Sequence, residues 1–342
     1  MKYRLPVPLD DELAAGFLGR FAQLNAVSRK QALEMLKAGA SVKERYPPIW
    51  MLAAACGIDH DTFTSRYSML PVMYPISGYF GGSRELKQKL SISYRGFSTA
   101  TALRWCAKCA REDFGRLGFG YWRRRHQILG IDWCVEHRVG LFQKDDDTIN
   151  DEVNVPISLQ DAVTQICQES HHPVLRRFEE ILLAWLHRQR PFRLRAWTNT
   201  IGNRCRELGL RVGEVGGRQV ASDLIREQFP SSWLARHLPE ISTKEPRTYI
   251  RKVDGACVDK HVAYPALACA AILAALFSTA TEAIAALDEA DGRIEAEQLA
   301  QPCSQIALQS FLAGKRLQKA CDDAGVELIE VERLLRGMYL KL

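Results

Sequence analysis

The sequence predicts a mainly α-helical protein interrupted by one small module, on three observations. Apolar residues recur at helical spacing before residue 70 and again after residue 155. Between those stretches lie two pairs, Cys106-Ala107-Lys108-Cys109 and Cys134-Val135-Glu136-His137, spaced like ligands that turn back onto one metal. Only residues 70–100 and 205–215 invite short strands. The expected architecture is a helical N-terminal region over 1–99, a small zinc-ribbon-like module over 100–145, and a helical C-terminal domain over 155–342.

The 342 residues suffice for two or three domains, and 47% hydrophobic with 25% charged residues excludes wholesale disorder. In the first region Leu13, Phe17, Leu18 and Phe21 mark one helix, and Leu33, Met35 and Leu36 begin another. Pro47-Pro48 breaks the chain. Ala53, Gly57, Ile58 and Phe63 then suit a helix-turn-helix, in which the small residue lets two helices cross and the glycine turns the chain. An ordinary helical hairpin fits the same residues. From Leu70 to Thr99, PVMYPISGYFGG and SISYRGFST read as a connector with one short strand. Asp145-Asp146-Asp147 closes the module as a solvated turn.

Farther on, Ser158 has the position of a helix cap in SLQDAVTQICQES, and Leu175 through Arg188 is amphipathic. Six arginines from Arg176 to Arg195 stand against Glu179 and Glu180, a basic helix end that either faces nucleic acid or is merely solvated. Val220, Leu224, Ile225 and Phe229 share a helix face. Tyr264 to Ala286 is alanine-rich and interrupted by Glu282, which fits a buried helix or helix pair better than a membrane span. Ala320, Gly325, Val326, Val331 and Leu334 make a second helix-turn-helix-like pattern.

Net charge is +6, a mild lean toward polyanions. The opening MKYRLPVPLDDELAAGF puts charges where an export signal needs an apolar core, so a cytoplasmic protein is expected. In a reducing compartment the ten cysteines read as packed thiols and metal ligands.

The chemistry concentrates in one pattern, C-x2-C-x24-C-x2-H. Three thiolates and one imidazole match tetrahedral Zn2+, and four protein ligands leave no open position for catalysis. Cys106, Cys109, Cys134 and His137 are therefore the ligands of one expected structural zinc. A redox reading of Cys106 and Cys109 lacks the strand-then-helix context and leaves Cys134 and His137 idle. From Arg104 to Arg125 the module carries a local charge of +5, interleaved with Phe119, Tyr121 and Trp122. Tyr121, Trp122, Arg123, Arg124, Arg125 and His126 are the candidate residues for contact with nucleic acid or a protein partner. The plainer reading packs Tyr121 and Trp122 on the metal loops and leaves the arginines in water. A second zinc site is open to Cys167 with His171 or His172, and to Cys257 with His261; core cysteines and surface histidines explain these otherwise. No GxxxxGK[ST], G-x-S-x-G or H-E-x-x-H is present, so no enzyme is expected.

The stretch WCAKCAREDFGRLGFGYWRRRHQILGIDWCVEHRVGLF resembles the signature of the TniQ family. Cys106, Cys109, Asp113, Tyr121-Trp122, His126-Gln127, Gly130, Cys134, His137 and Leu141 stand where that pattern puts them, while Ala107 and Ile128 replace turn prolines. Upstream, PVPLDDELAAGFLGRFAQLNAV is similar to the family's opening helix. Downstream, RTYIRKVDGACVDKHVAYPALACAAILAALF is similar to the C-terminal part of TnsD-like relatives. The resemblance implies a transposition protein that selects the target site. Such an adaptor binds target DNA or an RNA-guided CRISPR effector complex and recruits the transposon's AAA+ ATPase and transposase. It also implies a bacterial, DNA-associated protein, with a homodimer among the expected assemblies. The alternatives are a zinc-containing helix-turn-helix DNA-binding regulator and an enzyme without a recognised motif. A charge of +6 is thin for a stand-alone DNA binder, which favours the adaptor.

Overall fold

A computed structural model describes residues 3–39, 47–77, 103–144, 167–259, 264–299 and 303–339. Ser158, the acidic run 145–147, connector residues 78–99 and His261 lie outside the described residues. The chain is mainly helical, as expected, and divides into two units, Met1–Ala286 and Leu287–Leu342. Residues 103–144 pack within the first unit.

The first unit opens with α1 (Ala14–Leu24) and α2 (Arg29–Gly39). Ser28 and Gln31 form a reciprocal capping box at the start of α2, with Ser28 N donating to Gln31 Oε1 at 2.9 Å and Gln31 N to Ser28 Oγ at 3.2 Å. Next come α3 (Pro48–Cys56) and α4 (His60–Tyr67), joined as a helix-turn-helix requires. Gly57 turns the chain at φ +65°, and the Asp59 carboxylate accepts from the amides of Asp61 at 3.1 Å and Thr62 at 3.0 Å. Phe17, Phe21, Leu36, Leu52, Ala53 and Phe63 bury one another across these four helices. That common interior explains why the apolar spacing was readable.

The short α5 (Leu70–Met73) leads into β1 (Ile76–Ser77). After it come β2 (Leu103–Trp105), α6 (Ala107–Leu117) and β3 (Phe142–Lys144), then α7 (Pro173–Leu186) and β4 (Phe192–Arg193). β2 pairs antiparallel with β3, and β1 pairs parallel with β4. Beyond α8 (Leu194–Glu207), residues 205–215 form no strand, contrary to the sequence reading. Gly209, at φ +71°, ends the helix, and Leu210 N bonds back to Cys205 O at 2.8 Å. The alternation of Leu208, Leu210 and Val212 therefore lies in a helix-end turn and loop, with no ladder partner among the described residues.

The remaining elements of this unit are α9 (Ala221–Gln228), α10 (Ser231–His237), α11 (Pro239–Ser242), α12 (Arg251–Asp254) and α13 (Ala266–Leu276). Ala268 through Leu276 are buried, which lets α13 approach α7 and α9 closely. α14 (Ala280–Leu299) follows, so the alanine-rich stretch is a helix pair. No single described helix is long and apolar enough to cross a membrane.

In the second unit α15 (Cys303–Leu312), α16 (Leu317–Ala324) and α17 (Leu328–Tyr339) enclose Ala307, Leu308, Cys321 and Val331. Gly325, at φ +65°, supplies the turn between α16 and α17.

Candidate metal centre

Cys106 follows β2 as the N-cap residue of α6, and Cys109 sits in the first turn of α6, so a strand-to-helix junction, absent from the sequence reading, aims both thiols the same way. Cys134 and His137 face them from a tight turn closed by Arg138 N to Cys134 O at 2.8 Å and Cys134 N to Val139 O at 2.8 Å. The His137 Nδ1 lies 3.6, 3.4 and 3.6 Å from the sulfurs of Cys106, Cys109 and Cys134, and the Cys109 and Cys134 sulfurs are 3.6 Å apart. These four residues form a mostly buried cluster that could hold a metal ion, the only such group found among the described residues.

Three thiols this close compete for protons. Hydrogen bonds from Cys109 and Cys134 push the Cys106 thiol down to about 3, while sharing with Cys106 pushes Cys109 well above the usual thiol range. Cys106 is thereby held as a thiolate, the form that binds metal, with the proton kept on Cys109. Around it stand residues that set its orientation. Glu112 Oε1 is 3.0 Å from His137 Nε2, which leaves Nδ1 for the cluster. Glu136 sits 3.4 Å from the Cys109 sulfur and also binds Arg125 at 2.6 Å. His126 is buried against Cys134, and desolvation lowers its pKa.

The candidate contact residues need correction. Tyr121, Trp122, Arg124 and His126 are buried, and Arg123 and Arg125 are largely covered. Tyr121 donates to Asp10 O at 3.0 Å. Trp122 packs over Gly16 and accepts the Leu13 amide at 2.8 Å through its carbonyl. Arg123 binds Asp113 at 2.8 Å, and Arg125 binds Asp11 at 2.7 Å. Arg124 donates to the carbonyls of Ser68 at 2.8 Å, Ser65 at 2.8 Å, Leu186 at 2.9 Å and Arg66. It thereby closes the C-terminal ends of α4 and α7 together. Arg104, Arg123, Arg124 and Arg125 thus spend their charge inside the protein, on acids and carbonyls, while Lys108, Arg111 and Arg116 of the same run stay exposed.

Several anchors of the module carried no local signal. Arg104 donates to Ile131 O at 2.9 Å and Ile128 O at 2.6 Å. Gln127 accepts the Arg104 amide at 3.0 Å and donates to the Arg104 carbonyl at 2.8 Å, imitating a strand partner. The carboxylate of Glu179 accepts from Trp133 Nε1 and from Arg138, whose Nη1 lies 2.9 and 2.7 Å from its two oxygens. Gly130, at φ +82°, admits no side chain, since a Cβ would lie 2.7 Å from Leu267 Cδ1, and its carbonyl accepts Trp233 Nε1 at 2.8 Å.

Neither second-metal pairing gathers a third ligand among the described residues. Cys167 instead lines a cleft of about 660 Å³ with Asp132, Glu169 and His237, and Cys257 is a buried core thiol. The first helix-turn-helix carries Asp59 and Asp61 at the N-terminal end of its second helix, where a DNA-reading helix would meet phosphates. The second unit has seven Lys and Arg against ten Asp and Glu, with Glu327 and Glu330 exposed at the start of α17. Neither segment has the charge of a DNA reader.

Fold and site together define a mainly helical protein carrying a Cys3His cluster that could hold a metal ion. Residues 4–141 match the family model TniQ, and over them the chain is similar to that family. The match ends at Leu141, just past the last candidate ligand. No curated protein matches the chain.

Proposed function

We propose that this chain is a non-catalytic adaptor for target-site selection in DNA transposition. The observation that supports the reading is the TniQ match over residues 4–141, a family associated with transposition. In this role the chain joins target DNA, or an RNA-guided effector complex that has found it, to the transposon's AAA+ ATPase and transposase in the cytoplasm. Cys106, Cys109, Cys134 and His137 would hold one Zn2+. Tetrahedral zinc with Zn–S near 2.3 Å and Zn–N near 2.0–2.1 Å needs ligand atoms roughly 3.5–3.8 Å apart, and the observed pairs lie at 3.4–3.6 Å. The ion would supply rigidity, tying β2, α6 and the Cys134–His137 turn into one platform. With four protein ligands it has no open position for a reactant.

The test is a transposition assay reconstituted with and without the chain. Targeted insertion that depends on the chain supports the adaptor. Equal insertion without it, or DNA cutting or joining by the chain alone, refutes the reading.

A further inference from the structure

We propose that the outer face of α6 is a docking surface for the backbone of duplex DNA, an inference that rests on the target-selection reading. Lys108, Arg111 and Phe114 follow at three-residue steps, and Arg111, Gly115 and Gly118 at steps of four and three, so all five share one face of the helix and its cap. The opposite face, Cys109, Ala110 and Asp113, is buried. Lys108 and Arg111 are exposed and make no ion pair among the described residues, and the Phe114 ring is 49% exposed.

The charge balance of this helix favours a polyanion. Glu112, the exposed acid on α6 and 3.0 Å from His137 Nε2, offsets one of the positive charges. Asp113 is turned inward and held by Arg123 at 2.8 Å, so Arg116, 66% exposed and 3.4 Å from Asp113, adds its charge to the outer side. Lys108, Arg111 and Arg116 therefore present net positive charge beside an exposed ring.

Gly115 points the same way by a separate route. It lies in the helix interior, where glycine is a poorer helix former than alanine. A Cβ built there meets nothing within 4 Å, and its φ lies outside the left-handed region, so nothing inside the protein requires glycine. Gly118 ends the helix at φ +79° and is equally open. Together they leave a strip of bare backbone that another molecule can approach closely.

At 1.5 Å per residue the eleven residues of α6 span about 16 Å, enough to lie along or across a B-form major groove about 12 Å wide. The deep, narrow major groove of A-form RNA does not admit a helix, so the duplex is DNA. Cys106 and Cys109, at the start of α6, hold the helix against the metal cluster and keep the face rigid.

The experiment titrates the full, metal-loaded chain into a fluorescently labelled DNA duplex and follows anisotropy from about 50 to 200 mM salt. Lys108→Glu with Arg111→Glu should weaken binding by roughly tenfold or more, and lower the slope of log affinity against log salt by about 2, for two lost phosphate contacts. Gly115→Gln should weaken binding several-fold while melting no lower than the parent, a combination that a merely structural role would not give. Variants that bind DNA like the parent overturn the proposal, as does a parent with no salt-dependent affinity. Should the variants keep DNA affinity yet lose targeted insertion, the face docks a protein. That outcome also overturns the DNA assignment while leaving the adaptor reading standing. Insertion that proceeds without the chain sinks the adaptor reading instead, whatever the binding data show.

Discussion

Replacing Arg124 with methionine should destabilise the protein by about 3–5 kcal/mol. Arg124 is 3% exposed and donates to four carbonyls, those of Ser65, Arg66, Ser68 and Leu186. Hydrogen bonds to a charged donor are worth roughly 1.5–3 kcal/mol each, so the four sum to about 6–12 kcal/mol before opposing terms. Burial opposes them. Desolvation pushes the guanidinium down to about 10 from 12.5, a cost on the order of 3 kcal/mol at 1.36 kcal/mol per pKa unit. Methionine keeps the packing of the stem, and some helix-end carbonyls regain water, which brings the net loss to the lower figure. Guanidinium chloride unfolding followed by far-UV circular dichroism reads it out, with Arg190→Met as an exposed control expected within about 0.5 kcal/mol of the parent. Arg124→Lys should recover less than half of the loss, because an ammonium cannot reach the ends of α4 and α7 at once. An Arg124→Met protein as stable as the control would refute the reasoning. If that protein also lost partner binding, Arg124 would be a contact residue after all.

Two further outcomes follow from the same geometry. Glu112→Ala should lower metal affinity by about 10–100-fold in a chelator competition, because His137 loses the carboxylate that sets its ring, whereas unchanged affinity would mean the turn alone fixes the imidazole. Asp132 loses solvent on burial, which raises its pKa, but His237 at 2.7 Å and the guanidinium groups of Arg104 and Arg236 more than offset this and hold it below 3.8. Its contribution to stability is therefore complete above the unfolded value near 3.8 and is lost as pH falls through the lower folded value. Asp132→Asn should flatten that acid limb in urea titrations run at stepped pH, and an unaltered limb would count against the linkage.

The parts of the fold that the sequence discloses are those whose physics is local. Phe17 and Phe21 recur at helical spacing because both enter the interior that Leu36, Leu52 and Phe63 share. The four candidate ligands were readable because each pair must close a tight turn within three residues. Strand pairing and charge pairing are not local. Leu208 and Val212 alternate like a strand, yet among the described residues no strand edge pairs with them, and Leu208 is exposed. Asp11 and Glu136 engage Arg125, and Glu179 engages Arg138; none of these acids lies in the arginine-rich run. Counting charges along that run does not separate Arg104, Arg123, Arg124 and Arg125, which the folded chain takes inside, from Lys108, Arg111 and Arg116, which it leaves exposed.

That difference separates what a family signature reports from where a protein makes contact. Asp113, Tyr121, Trp122, Gln127 and Gly130 all resemble the TniQ pattern, and each has an internal task. Asp113 holds Arg123, Tyr121 caps the Asp10 carbonyl, and Trp122 seats Gly16. Gln127 imitates a strand beside Arg104, and Gly130 makes room for Phe178 and Leu267. Substituting any of them would unsettle the platform before it touched a partner, so loss of function there would say little about recognition. Recognition has to be sought among residues that the interior does not use. On the candidate metal-binding module the exposed side of α6 meets that condition, since Lys108, Arg111 and Gly115 have no internal partner among the described residues. A substitution there changes the surface and breaks no side-chain hydrogen bond or ion pair among the described residues, so a melting curve and a metal assay beside the titration separate binding from stability.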